Sequence, residues 1–476
     1  MKKLVIAALV AATGAVLSAA VPEISGVTMS QDISRLVTIT YTLSEAPAVV
    51  TLDVQTNKTG AATSEESDWV SIGGVAVANA KGDVWKKVTS TSGTITWHPD
   101  LSWPDHKIAD NAVRAVVTAW ALDNTPDYMV VDLTATGGTD TQKYYPGIDY
   151  LPGSQPGQEG AITNNFDYRT TSLVMRKIMA KDVTWTMGTI SVESQRIAER
   201  ETPHKVTLTN NYYIGVFPVT QAQAAIVTNY AGIAINAVLN ANPKVYGAYY
   251  DVEGAMRPVE RISYNQIRLY TMAGNGNASV EQFGRSWPNE PDFESFLGKL
   301  RSMTGGEIDF DLPSEAQWEF AARAGNGTGY WGDGTPILNA STDANLGRIG
   351  RYTGNLPGGN VAKTAAPSEG GTPIVGSYAP NKWGLYDMQG CVWEWCLDWY
   401  QLDITSYNGR VNIGSAPNTT LGGTTMSDSS NNRVVRGGHF DGPAEQCRPG
   451  FRNTGYRPNT RSEVIGFRLV CTAGLK

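Results

Sequence analysis

The chain is short of the residues from which most catalytic and metal centres are built. In 476 residues there are four histidines, His98, His106, His204 and His439, and no two lie one helical turn apart. That argues against a histidine-rich zinc or non-haem iron site. Cysteines also number four, Cys391, Cys396, Cys447 and Cys471, all in the last fifth of the chain. Charged residues make up only 17%, the net charge is −7 and there is no long basic run, which argues against a nucleic-acid partner. Beyond the N-terminus no apolar run reaches the length of a membrane span, so no transmembrane segment is expected.

What is abundant is glycine, at 50 residues, and tryptophan, at 13. With low charge, that mix suits strands and ordered loops better than helical bundles, and the length calls for two or three domains. Met1-Lys2-Lys3 is basic, residues 4–17 are apolar, and Ser18-Ala19-Ala20 offers small residues for cleavage. This pattern predicts a bacterial-type signal peptide over residues 1–20 and an exported product, whether periplasmic, cell-surface or secreted. Export would permit disulfides; four cysteines allow three full pairings, and buried free thiols are the other reading.

Residues 21–137 read as β throughout. Short runs at 36–41, 48–54, 84–88, 93–97, 113–121 and 129–133 are separated by turn residues, the spacing of an immunoglobulin- or fibronectin-like sandwich. Residues 138–170 are rich in Gly, Pro and polar residues and read as a linker. The rest, 171–476, mixes short strands with helices that open on Thr220, Ser263 and Ser314, the last with Gln317 three residues on, close to a capping box.

The densest stretch is 381–400, NKWGLYDMQGCVWEWCLDWY, which reads as a tight, irregular segment threaded through a core. Asp387 and Glu394 could offer two hard oxygen ligands to one cation, with backbone carbonyls completing a calcium-like shell; the plainer reading is a Trp-rich core with solvated acids.

Eight motifs follow in order: VTWTMG (183–188), YYIGVFPVT (212–220), RPV (257–259), LPSEAQWEFAAR (312–323), GLYD (384–387), VWEW (392–395), RGG (436–438) and GFR (466–468). Together they resemble the formylglycine-generating enzyme, or sulfatase-modifying factor, family over about 171–471. The resemblance implies a C-type-lectin-like domain there; with the all-β sandwich read from the N-terminal strands, which lies outside the resemblance, the expected class is α+β. It also implies oxidation of a sulfatase cysteine to formylglycine, with copper(I) held by two thiolates, the soft ligands that metal prefers. The matching positions are Gly442 and Cys447, so one thiolate is missing. His439 stands where the family has serine, and Val464 where it has asparagine. A calcium ion is implied at Asp387, the carbonyls of Gly390 and Val392, and Glu394. A second calcium would use Asn345 and the Leu346 carbonyl but lacks a matching acid.

These departures lead to the expectation of a non-catalytic binding module for a protein, peptide or glycan, with sulfatases among the candidate partners. The alternative is a copper-dependent oxidase converting a sulfatase cysteine to formylglycine at a rearranged site, in which Cys447 with Cys391, Cys396 or His439 would hold copper. A purely structural secreted protein is the third reading.

Overall fold

The computed structural model describes residues 21–59, 65–108, 112–135, 141–153, 161–190, 193, 195–229, 252–268, 291–338, 341–356, 371–400, 402, 404 and 432–475. The expected signal peptide and most of the Gly/Ser/Asn-rich stretch after residue 404 lie outside them.

The N-terminal part forms two antiparallel sheets. One is ordered Glu23–Gln31, Val37–Ser44, Ser92–Trp97, Lys81–Gly82; in the other, Ala48–Asn57 pairs with Trp69–Ser71, Lys86–Val88 and Val113–Trp120. Alternation is legible in Val37–Ser44, where Val37, Ile39, Tyr41 and Leu43 are buried and Thr40, Thr42 and Ser44 exposed. The inward residues of both sheets share one apolar cluster that includes Ile39, Leu52, Ile95 and Val117.

The strand pairing crosses the expected linker. Tyr128–Asp132, read with the N-terminal unit, pairs with Ser172–Ile178. Gln142–Tyr145, read as linker, is an edge strand on Tyr128–Asp132. With Tyr212–Gly215 and Val470–Thr472 they make one five-stranded sheet. Turn-rich composition marks where a chain bends, not which strand its next segment joins. The cores also run across the boundary. Tyr168, Val216, Phe217 and Tyr386 pack in the N-terminal cluster, and Lys87 pairs with Glu307 at 2.8 Å.

Three of the described helices open with reciprocal side-chain caps. Thr220 and Gln223 satisfy each other's backbone N–H, as do Ser263 and Gln266, and Ser314 and Gln317. They start the helices Gln221–Asn229, Tyr264–Arg268 and Glu315–Arg323. A helix at Phe296–Met303, capped by Ser295, had no expectation in the sequence. Nor is the second half of the Trp segment irregular. Trp393–Trp399 is a strand, antiparallel to Arg433–Arg436 and parallel to Ile465–Gly466. Its first six residues are all buried, so no polar alternation marks it.

Candidate functional site

The motif residues meet around the Trp393–Trp399 strand, and what joins them is buried charge. Arg436 of RGG reaches Glu319 of the Glu315–Arg323 helix, and Arg323 closes on the same carboxylate at 2.7 Å. Arg452 makes a two-point pair with Glu315, at 2.6 and 3.0 Å. Arg448 holds Glu193 and both oxygens of Glu201, each at 2.8 Å. Arg468 of GFR holds Glu394 of VWEW. All these arginines and glutamates are buried. A buried ion pair persists only when its geometry is good and its remaining donors are satisfied. Here carbonyls take further donors, for example Pro449 and Phe451 for Arg436, whose Nε has no hydrogen-bond partner and lies 3.5 Å from Glu315 Oε1. The partners of Arg448 and Arg452 were not singled out in the sequence. Their separations of more than 130 residues carry no periodic signal.

Cys447 is fully buried, in a cluster with Trp331, Leu346, Ile349, Tyr352 and Ala444. Its sulfur lies against Gly438, where a Cβ would come within 2.5 Å of it; Gly438 has φ +76°, so both space and backbone require glycine there. Burial pushes the thiol pKa far up, against a small opposing effect of the His439 backbone N–H. In the absence of a metal, that shift favours the thiol over the thiolate. Gly442 is also buried. A Cβ there would meet His439 Nε2 at 2.9 Å and Gln446 Oε1 at 3.0 Å. His439 is half-buried, its ring 5.8 Å from that of Trp393. Val464 lends its carbonyl to the Trp393 N–H. The structure thus brings Gly442, Cys447 and His439 into one corner with a single sulfur, one short of the two-thiolate set expected for copper(I).

The remaining cysteines are buried free thiols as well. Cys396 and Cys471 lie in two further apolar clusters, apart from that of Cys447.

The expected calcium ligands are placed as follows. Asp387 is buried at φ +55°; its Oδ2 accepts from the Gly376 N–H at 2.7 Å, while Oδ1 has no hydrogen-bond partner. Burial raises its pKa to about 6; the Gly376 N–H and Arg468 act against this, and Glu394 adds to it. Gly390, at φ +80°, donates to the Gly437 carbonyl, and a Cβ there would strike the Arg351 carbonyl. Val392 is buried beside Gly466. Glu394 is held by two partners: Trp318 Nε1 donates to Oε2 at 2.7 Å, and Arg468 covers both oxygens. At the second expected site Asn345 Nδ2 donates to the Pro336 carbonyl, and the N–H groups of Asn345 and Leu346 donate to Asp343 Oδ1. Among the described residues no three His, Cys, Asp or Glu side chains gather as a metal cluster. No described helix is long and apolar enough to cross a membrane.

The sulfatase-modifying factor enzyme 1-like domain matches residues 171–473. The chain belongs to this family. Among its relatives, a formylglycine-generating enzyme of Thermomonospora curvata is 39% identical over 118 residues, 25% of this chain and 33% of that protein. A protein named serine/threonine-protein kinase pkn1, from Chlamydia pneumoniae, is 27% identical over 372 residues, 78% of this chain and 50% of that protein. The chain therefore spans a third to a half of the length of these relatives. A solved structure, PvdO from Pseudomonas aeruginosa, aligns over 63% of this chain and 94% of its own, at 22% identity and TM-score 0.44.

Proposed function

We propose that this chain is an exported, non-catalytic member of the sulfatase-modifying factor family that binds a protein, peptide or glycan. One observation carries the reading. The corner where family enzymes hold copper(I) has glycine at 442, and the volume a side chain would enter there is filled by His439 and Gln446. Cys447, the thiol that remains, is buried, and burial raises its pKa. Four of the motifs that survive, LPSEAQWEFAAR, VWEW, RGG and GFR, pair in buried salt bridges, while one member of the reactive pair is missing. In this reading the N-terminal sheets, expected as an immunoglobulin- or fibronectin-like sandwich, serve as spacer or attachment, and the leader at 1–20 directs export.

The test is incubation of purified protein with a sulfatase-type Cys-x-Pro-x-Arg peptide, copper(I) and oxygen, read by mass spectrometry. The expected result is an unchanged peptide cysteine. Conversion to formylglycine that is lost in Cys447→Ser would replace this reading with the second one, a copper-dependent oxidase acting on sulfatases. The names of the formylglycine-generating relatives favour that second reading. Export is tested separately, by N-terminal sequencing of protein recovered outside the cytoplasm: a chain starting after Ala20 is expected, and one starting at Met1 would sink it.

A further inference from the structure

Seven arginines among the described residues are buried, and six of them lie within ion-pair distance of a carboxylate. In four the Nε–Nη2 edge makes the pair. Arg268 meets both oxygens of Asp311 at 2.8 Å, and Arg323 meets Glu319 Oε1 at 2.8 and 2.7 Å. Arg452 and Arg468 likewise take both oxygens of Glu315 and of Glu394. The seventh is Arg433, which has no such partner among the described residues. Its Nη1 donates to the Leu397 carbonyl at 2.6 Å, and its Nε has no hydrogen-bond partner. The guanidinium lies over the Trp399 ring at 3.5 Å and over the Tyr264 ring at 4.4 Å. Burial pushes its pKa down to about 10, and Arg268 adds to this; Tyr264, Asp398 and Asp311 oppose it. A buried cation without a paired anion is costly, and the other six avoid that cost.

We propose that the Nε–Nη2 edge of Arg433 is a recognition point for a carboxylate of an acidic peptide. A guanidinium presents that edge to a planar carboxylate as two parallel N–H···O bonds, which is how the chain's own buried arginines use it. The place is near the surface: Trp399 and Tyr456 are half-buried, Tyr456 exchanges both backbone hydrogen bonds with Arg433, and Arg433 keeps 7% exposure. One guanidinium balances one charge, and the net charge of −7 disfavours a polyanion. The ring faces beside the guanidinium are covered by it, so they offer a sugar nothing to stack on; that favours a peptide over a glycan. The place is distinct from the Gly442–Cys447 corner. His439 lies at the Trp393 end of the Trp393–Trp399 strand and Arg433 pairs with Trp399, six residues or about 20 Å along it. The proposal rests on the binding reading above for its class of partner; the peptide-conversion assay tests that reading separately, so either can fail alone.

The experiment uses the full chain and two fluorescent probes, a peptide of alternating Gly and Glu and its Gly and Gln counterpart, read by anisotropy. Wild type is expected to bind the Glu probe at least about tenfold more tightly than the Gln probe. Arg433→Lys keeps the charge but loses the fork; it is expected to weaken the Glu probe at least about tenfold and to leave the Gln probe unchanged. Should Arg433→Lys fail to fold, the wild type decides: the Arg433 Nε–H signal in an NMR spectrum of arginine-labelled protein is expected to move with the Glu probe and stay in place with the Gln probe. Equal affinities for the two probes, no binding of either, undiminished Glu binding in a folded Arg433→Lys, or an unmoved Nε–H signal would each overturn the proposal. An oligogalacturonate that binds more tightly than the Glu probe and depends on Arg433 would overturn it in favour of an acidic glycan.

Discussion

At position 442 the lost side chain meets occupied space. His439 Nε2 and Gln446 Oε1 stand 2.9 and 3.0 Å from where its Cβ would be. Gly442→Cys alone is therefore expected to destabilise the protein without creating a two-sulfur site. The double variant His439→Ser/Gly442→Cys, which opens the volume, is expected to bind copper(I) more tightly than either single variant, measured by competition with a chromogenic chelator. Equal affinities in all three would show that the volume is not the obstacle. Two acids set the pH response. Asp398 has its pKa raised to about 7, chiefly by burial and next by the Glu315 carboxylate; the Glu315 N–H, Arg433 and Arg452 oppose this. Asp387 is raised to about 6. A folded pKa above the unfolded one means stability that is complete at low pH and lost as pH rises through the folded value. Melting temperature is therefore expected to fall between about pH 4 and pH 7. Asp398→Asn should flatten that slope, and a slope unchanged in the variant would refute the assignment. The opposite sign holds for Glu315, whose pKa is lowered: burial acts against the shift, and Arg452 and Arg436 outweigh it. Its contribution is lost only in more acid solution.

Between elements, stability rests on the arginine–glutamate pairs and the caps. Glu319 of the Glu315–Arg323 helix answers both Arg323 and Arg436. Glu319→Ala leaves two buried guanidinium groups without that partner, and a loss of about 3–5 kcal/mol is expected by chemical denaturation. Ser314→Ala removes one half of the capping box on the same helix. Its cost should be about 1 kcal/mol, since the N–H it satisfies lies at a helix end. A ranking the other way round would show that the helix is held by its cap rather than by its charge.

Across the whole molecule, the five-stranded sheet joins residues on both sides of the expected linker. A fragment starting at residue 171 lacks Tyr128–Asp132 and Gln142–Tyr145. It bares the edge of Ser172–Ile178 and the apolar faces of Val174, Val216 and Phe217. That fragment is expected to aggregate, while the full chain melts in a single calorimetric transition. Two resolved transitions, or a soluble and cooperatively folding fragment 171–476, would show that the two halves are independent after all. The same pairing bears on the linker's composition. Gln142–Tyr145 sits among Gly, Pro and polar neighbours, yet Tyr144 and Tyr145 are buried.

Local chemistry was legible in the sequence because it acts over three or four residues. The Thr220, Ser263 and Ser314 caps, the alternation of Val37–Ser44 and the ordered family motifs all belong to that range. The vacancy at Gly442 was legible too, since a missing sulfur needs no geometry to be noticed. Long-range partnership was not. Glu394 read equally well as a cation ligand or a solvated acid, and only the fold set Arg468 and the Trp318 N–H against it. Trp393–Trp399 looked irregular because a strand buried on both faces shows no period, and Gln142–Tyr145 looked like linker because its partner strand lies outside its own window. A carboxylate's role depends on which opposite charge reaches it first in a water-free interior. For Glu394, Glu315 and the Arg436 partner of Glu319 those charges arrive from more than seventy residues away, a distance that only the tertiary structure closes.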